Sequence, residues 1–285
     1  MTALPDQTQP LPDTLPQLLR HHSRRFGNNR IAMREKDRGI WKPYTWAEYY
    51  AIVERLTMAF LEMGLQPDEK VAIIGENKPH VYWFELAALT CRAPVLGIFS
   101  DCGPEEIKYF LTHSDATFVI CQDQEQVDKV LEIKQEIPLI RKVIYWEEKG
   151  MWNYDDPLLI TMDEALETGA VKAAENAGLF EEMIDATDPD DIAVFFYTSG
   201  TTGLPKAGLQ THRNIKMMAE LMDQRDPAFE SDESVSYLPI AWIAEQLQNV
   251  AYSLYKGFTV NFPESQETVT QNIREIGPHM VLFAP

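Results

Sequence analysis

The loop at residues 197–206 holds the residue types in this 285-residue sequence that are best suited to bind a polyphosphate. It reads Tyr-Thr-Ser-Gly-Thr-Thr-Gly-Leu-Pro-Lys. Its glycines allow the backbone to approach closely and to adopt positive φ, so that N–H groups can surround an anion. Its hydroxyl groups can donate hydrogen bonds, and its lysine supplies a mobile positive charge of the kind that binds phosphate. The predicted phosphate-binding residues are Thr198, Ser199, Gly200, Thr201, Thr202, Gly203 and Lys206.

Two predicted strands position this loop. The apolar run at residues 192–197 indicates a buried strand, and residues 207–211 indicate a second one. Helical spacing begins only near Asn214. We therefore expect a strand–loop–strand hairpin with no helix N-terminus directed at the phosphates. A phosphate loop of the kinase type, in which Gly-Lys-Ser/Thr opens a helix, does not fit this pattern.

Strands alternate with helices in the first half of the sequence. Helices are predicted to begin at the capping box formed by Thr45 and Glu48 and at Pro104. Alternation of this kind predicts a mostly parallel sheet with right-handed crossovers. Residues 147–191 are more polar, and we expect a connecting segment there with a short helix at 162–168. The predicted strands cover residues 71–74, 93–98, 117–121 and 142–146.

The composition limits the kinds of partner. A net charge of −19 argues against nucleic acid and against broad adhesion to anionic membranes. The N-terminus has no basic start and no apolar core, so it does not indicate a signal peptide. No stretch has the ~18 consecutive apolar residues of a membrane helix. We expect a soluble cytoplasmic protein, with loose peripheral contact to a membrane left open.

Neither the cysteines nor the histidines follow a metal-binding pattern. Cys91, Cys102 and Cys121 are widely spaced and form no Cys-x-x-Cys pair, which indicates neither a zinc site nor a disulfide framework. His21 and His22 stand among arginines, and we expect them to be a surface pair without a metal.

The phosphate loop resembles the signature of the adenylate-forming, or AMP-binding, enzymes, which include acyl-CoA synthetases, luciferases and nonribosomal peptide adenylation domains. Within that superfamily the resemblance is closest to bacterial long-chain fatty acid–CoA ligases. It runs from about residue 11 to residue 285 and implies an α/β fold with mostly parallel sheets flanked by helices. The further stretches that carry it are residues 14–19, 25–27, 34–41, 44–48 and 236–245.

The resemblance implies a two-step reaction. The carboxylate of a fatty acid attacks the α-phosphorus of ATP and releases pyrophosphate, and the thiol of coenzyme A then displaces AMP. Residues 198–203 would bind the β- and γ-phosphates, Lys206 would add catalytic positive charge there, and Thr201 would lie near Mg²⁺. ATP, Mg²⁺ and coenzyme A are therefore the expected cofactors and co-substrates.

Two positions depart from the pattern of the family. Ala207 follows Lys206 where relatives commonly have glycine, and Gly208 comes one position later. Trp242 stands where many relatives carry histidine, and it is interpreted either as a wall of the acyl pocket or as an ordinary core residue. Glu245 is interpreted as a helix cap or as a contact to the nucleotide.

The resemblance also implies that this sequence is the N-terminal portion of a ligase. In the family, the residues for adenine, ribose and the Mg²⁺ carboxylate, and the lysine of the C-terminal domain, lie beyond the point that matches residue 285. We expect the chain alone not to catalyse the ligase reaction. Two alternatives stay open. One is adenylation of an aryl, short-chain or amino acid, and the other is a non-catalytic nucleotide-binding remnant.

The predicted organisation has two parts. Residues 1–12 form an extended tail, and residues 13–285 form an incomplete AMP-binding domain. Within that domain, the successive predicted segments are a first α/β lobe at 13–146, a connecting segment at 147–191, and the phosphate-loop strand pair with the start of a second lobe at 192–285.

Overall fold

The chain folds into two sheets with helices packed on and between them. The structure, a computed structural model, describes residues 10–198 and 203–283. The strands are β1 (Ile31–Asp37), β2 (Ile40–Thr45), β3 (Lys70–Ile74), β4 (Val95–Ile98), β5 (Ala116–Cys121), β6 (Lys142–Tyr145), β7 (Leu159–Thr161), β8 (Ile192–Thr198), β9 (Lys206–Thr211), β10 (Glu233–Val235) and β11 (Thr259–Phe262). The α-helices are α1 (Leu15–Phe26), α2 (Trp46–Glu62), α3 (Pro79–Thr90), α4 (Pro104–Ser114), α5 (Gln124–Glu132), α6 (Met162–Glu175), α7 (Leu179–Asp185), α8 (His212–Arg225), α9 (Ile243–Glu245), α10 (Tyr252–Lys256) and α11 (Val269–Ile276).

The larger sheet has the strand order β7-β6-β5-β3-β4-β8-β9. Its strands are parallel except for β9, which runs antiparallel to β8. The smaller sheet has the order β10-β11-β1-β2, in which β2 is the antiparallel strand. This arrangement confirms the predicted α/β class with mostly parallel sheets. Both sheets contain strands from residues 13–146 and from residues 192–285.

Helix α3 lies between the two sheets. It packs against β1 of the smaller sheet and β4 of the larger one, and the ring of its Tyr82 lies 5.0 Å from that of Phe262 in β11. Nearly all of its side chains are buried, as expected of a helix that is apolar on every side. Glu85 is the acidic residue of this helix, and its carboxyl group is buried together with its apolar neighbours.

Local sequence signals correctly predict where several helices and strands begin. The Oγ1 of Thr45 accepts a hydrogen bond from the backbone N–H of Glu48 at 3.2 Å, and Thr45 N–H donates to Glu48 Oε2 at 2.7 Å, so the predicted capping box opens α2. The helix predicted at 162–168 continues to Glu175. Strand β4 begins at Val95, directly after Pro94, which lacks the N–H that a strand interior needs.

The expectation of a surface histidine pair is wrong for His22. Its side chain is buried, and its Nε2 lies 2.7 Å from the carbonyl oxygen of Leu254. Its ring stacks on Phe26 at a centroid distance of 5.3 Å. Burial lowers the pKa of His22 to about 3. The helical spacing of α1 places His22 on the inner face, which its arginine neighbours do not reveal.

Helices α2 and α6 touch at Gly169, where any side chain would collide with backbone. A Cβ at that position would lie 1.8 Å from the carbonyl oxygen of Arg55. We expect Gly169→Ala to lower the free energy of unfolding by about 2–3 kcal/mol through overpacking, although alanine favours a helix by about 1 kcal/mol. Urea unfolding measures the change.

The matched control for this prediction is Gly103→Ala, because nothing lies within 4 Å of a Cβ built there. Its effect should stay below about 1 kcal/mol. If Gly169→Ala lowers the free energy of unfolding no more than Gly103→Ala does, the contact between α2 and α6 tolerates a methyl group.

Candidate functional site

The predicted hairpin forms the base of the phosphate loop. Strands β8 and β9 pair in antiparallel fashion, and the last pair among the described residues is Thr198 with Lys206. The structure therefore brings these two predicted site residues together at the base of the loop. The remaining predicted ligands Ser199, Gly200, Thr201 and Thr202, including Thr201 as the expected neighbour of Mg²⁺, lie outside the described residues.

The described part of the loop is open to solvent. Gly203 has a φ of +156°, and a Cβ built on it would meet no atom of the described residues within 4 Å. Leu204 is 68% exposed, and Lys206 is also exposed. A ligand can therefore approach the backbone at Gly203 and the ammonium group of Lys206 without displacing packed side chains.

The segment that carries Trp242 lies near the same edge of the larger sheet. A Cβ at Gly97 of β4 would lie 2.7 Å from the backbone nitrogen of Ala241, so this segment rests directly on the end of β4. Strand β4 is the parallel neighbour of β8, with Leu96 opposite Phe195. Because parallel strands end at the same edge of a sheet, Trp242 and the phosphate loop belong to one edge, where ligands of α/β proteins bind.

Trp242 directly precedes α9 and is 38% exposed. Its ring is therefore not a fully buried core residue in this chain. It can contribute a wall to a pocket at the sheet edge, and that role stays a prediction.

Glu245 is a buried hydrogen-bond acceptor. Its side chain is fully buried, and burial raises its pKa to about 7 against the opposing effect of its hydrogen bonds. It ends α9 and makes no N-cap bond, so the helix-cap interpretation is wrong. One carboxylate oxygen, Oε1, accepts hydrogen bonds from Asn77 Nδ2 at 2.9 Å, Tyr82 OH at 2.9 Å, Ser236 Oγ at 2.6 Å and Asn249 Nδ2 at 2.9 Å.

Glu85 extends this buried polar cluster into α3. Its Oε2 accepts a hydrogen bond from Nε2 of Gln246 at 3.1 Å, and burial raises its pKa to about 8. Gln246 begins a π-helical turn, Gln246–Ala251, a conformation often found at functional sites. One signal for this cluster is present in the sequence, since an acid at position 85 interrupts a strongly apolar run.

The described residues contain no group of three or more His, Cys, Asp or Glu side chains that could hold a metal ion. The cysteines are buried, and burial raises the pKa of Cys102 to about 11. Within residues 10–198 and 203–283, no helix is both long enough and apolar enough to cross a membrane.

Comparison with known proteins shows what the chain resembles. The family model described as "AMP-binding enzyme" matches residues 19–285. Among curated proteins, the long-chain-fatty-acid–CoA ligase ACSBG1 of Rattus norvegicus is 29% identical over 96% of this chain and 38% of its own length. The long-chain-fatty-acid–CoA ligase ACSBG2 of Homo sapiens is 25% identical over 96% of this chain and 41% of its own length. The chain thus spans about two fifths of the curated relatives it matches.

Two solved structures share the fold. The anthranilate CoA ligase AuaEII, in complex with anthranoyl-AMP, superposes with a TM-score of 0.76 at 18% identity, covering 96% of this chain and 50% of that one. A putative long-chain-fatty-acid CoA ligase from Rhodopseudomonas palustris CGA009 superposes with a TM-score of 0.75 at 17% identity, covering 95% of this chain and 63% of that one.

Proposed function

The chain belongs to the family of AMP-binding enzymes, and on that basis we propose that the protein is a long-chain fatty acid–CoA ligase. It would convert a fatty acid into an acyl-adenylate with ATP and then into a thioester with coenzyme A. The observation that supports the proposal most is the β8–β9 hairpin, in which Thr198 pairs with Lys206 at the kind of sheet edge where ligands of α/β proteins commonly bind.

The first step creates a good leaving group on a poor acyl donor. A carboxylate oxygen forms a bond to the α-phosphorus of ATP, and the bond from that phosphorus to the pyrophosphate oxygen breaks. Negative charge then grows on the departing pyrophosphate, so catalysis depends on positioning and on nearby positive charge. Residues 198–203 would hold the β- and γ-phosphates through N–H and hydroxyl groups, and Lys206 would stabilise the leaving charge.

The second step releases AMP. The sulfur of coenzyme A attacks the acyl carbon, and the bond from that carbon to the oxygen of AMP breaks. Mg²⁺, when bound, would neutralise phosphate charge, and Thr201 is its proposed neighbour. Because the protein carries a net charge of −19, the positive charge of Lys206 matters more for holding a polyphosphate than it would in a basic protein.

The proposed acyl substrate is a long-chain fatty acid. The names of the rat and human relatives support it, whereas the solved structures support the fold alone. Trp242 is the residue proposed to line the acyl pocket. The proposed segments of the chain end at residues 12, 146 and 191. The proposed location of the protein is the cytoplasm, with at most loose membrane contact.

The test uses the full-length protein that contains this chain. ATP–pyrophosphate exchange is measured with acids of increasing chain length and with aryl and amino acids. We expect the highest kcat/KM for long-chain acids. A preference for short, aryl or amino acids would contradict the proposed substrate, and ATP binding without exchange for any acid would indicate a non-catalytic nucleotide-binding protein.

A further inference from the structure

One face of α4 contacts both ends of the phosphate loop. Tyr109 and His113 lie one turn apart on this helix, so their side chains project from the same face. The hydroxyl of Tyr109 donates a hydrogen bond to the carbonyl oxygen of Pro205 at 2.7 Å. Nδ1 of His113 lies 2.9 Å from the hydroxyl of Tyr197. Tyr197 immediately precedes Thr198, and Pro205 immediately precedes Lys206.

The contact at Tyr197 is also a packing contact. Its ring centroid lies 4.7 Å from that of Phe110 and 5.6 Å from that of His113. Burial raises the pKa of Tyr197 from its ordinary value of 10 to about 12, in line with the half-buried position of its hydroxyl group. The end of β8 is therefore fixed against α4 by an aromatic contact and a hydrogen bond.

The contact at Pro205 lies next to the end of the strand pair. Among the described residues, the β8–β9 ladder ends at the pair Thr198–Lys206. The carbonyl oxygen of Pro205 accepts its hydrogen bond from the hydroxyl of Tyr109. The opposite face of α4 is buried through Ile107 and Leu111, which makes the helix a firm support for both contacts.

We propose that Tyr109 and His113 are positioning residues for the phosphate loop, and this inference rests on the proposed function. Their contacts with Tyr197 and Pro205 set the separation and orientation of the two ends of the loop. Thr198 and Lys206, the described residues at the two ends of the loop, are then held in place before ATP binds, which lowers the entropy cost of binding. Neither residue is assigned a contact with substrate.

The test is Tyr109→Phe in the full-length protein, since it removes one oxygen atom and keeps the ring. Loss of a single hydrogen bond predicts a rise in the KM for ATP of about 3- to 10-fold. The KM for the fatty acid should change less than about 2-fold, because the proposal gives Tyr109 a contact with the phosphate loop and none with the acyl group. His113→Phe, which keeps a ring and removes the nitrogen, should act in the same direction.

The matched control is Tyr154→Phe. The hydroxyl of Tyr154 donates to Asp128 Oδ1 at 2.5 Å and accepts from Gln124 Nε2 at 2.9 Å, so the same oxygen is lost from a different part of the surface. The KM for ATP should stay at the value of the unsubstituted protein. A merely structural role of Tyr109 would lower thermal stability and leave the ratio of the two KM values unchanged.

Amide hydrogen exchange without nucleotide separates this inference from the proposed function. Peptides that cover residues 192–198 and 206–211 should exchange faster in Tyr109→Phe than in Tyr154→Phe. Equal exchange together with an unchanged KM for ATP would overturn the inference while the ligase proposal stands. If the unsubstituted protein fails to bind ATP, the ligase proposal and the phosphate-positioning role both fail, and exchange still decides whether α4 holds the loop ends.

Discussion

Replacement of Lys206 by alanine should lower kcat/KM for ATP–pyrophosphate exchange about 100-fold, because removal of one preorganised group that stabilises developing charge costs about 10²–10³ in rate. Lys206 begins β9 at the base of the loop, and the described residues form no ion pair with it. Its charge is therefore available to a bound phosphate. Thermal stability should stay within about 1 °C, since surface substitutions of this kind have little effect on folding.

Two control variants sharpen this measurement. Lys149→Ala removes an exposed lysine that lies outside the predicted phosphate loop, and exchange should remain normal. Lys206→Arg keeps the charge in a different geometry and should recover part of the activity. Normal exchange in Lys206→Ala would remove the catalytic role assigned to this residue, whatever the outcome for the other variants.

The β8–β9 hairpin could be predicted because the sequence signals that specify it are local. The apolar run before the loop, the glycines within it and the helical spacing after it are contiguous in the sequence. Among the described residues, the structure extends each predicted strand by one residue, to Thr198 and back to Lys206, and α8 begins at His212 rather than near Asn214. Capping by Thr211, whose Oγ1 accepts from Asn214 N–H at 3.2 Å, explains the earlier start.

Strand β1 could not be predicted in the same way. Its sequence carries four charged residues, and it lies inside the smaller sheet because it pairs antiparallel with its neighbour β2 and in parallel with β11, where Met33 lies opposite Val260. The parallel pairing joins residues more than two hundred positions apart, which no local pattern records. Tyr109 and His113 illustrate the same limit, since the predicted helix after Pro104 contains them but nothing local shows which strand ends their face meets.

The buried carboxyl group of Glu85 should make stability fall as pH rises from about 4.5 to about 8. The folded protein holds a proton on Glu85 up to a pKa of about 8, whereas the ordinary value is 4.5. The folded state therefore binds more protons than the unfolded state in this interval, and the free energy of unfolding decreases with rising pH by up to about 1.4 kcal/mol per pH unit. Glu245, with a pKa of about 7, contributes in the same direction below that pH.

Buried histidines act in the opposite direction at lower pH. Burial lowers the pKa of His22 and His80 to about 3 and that of His212 to about 4. The unfolded state then binds more protons from about pH 4 to 6.5, so these groups make stability rise with pH there. The contribution of Glu85 is therefore isolated by comparing a variant at position 85 with the unsubstituted protein. The histidines contribute equally to both proteins, so their contribution cancels in the difference.

Glu85→Gln should make the loss of stability between pH 5 and pH 8 smaller by at least about 2 kcal/mol than in the unsubstituted protein. Glutamine keeps the shape and can still accept the hydrogen bond from Gln246. Urea unfolding at several pH values measures the effect, and Glu132→Gln on the exposed face of α5 should leave the pH profile unchanged.

Parallel profiles for Glu85→Gln and the unsubstituted protein would mean that Glu85 stays ionised in the folded state. An ionised carboxylate between two sheets needs compensating charge or several hydrogen-bond donors, and the described residues provide one donor, from Gln246. The neutral form requires no such compensation.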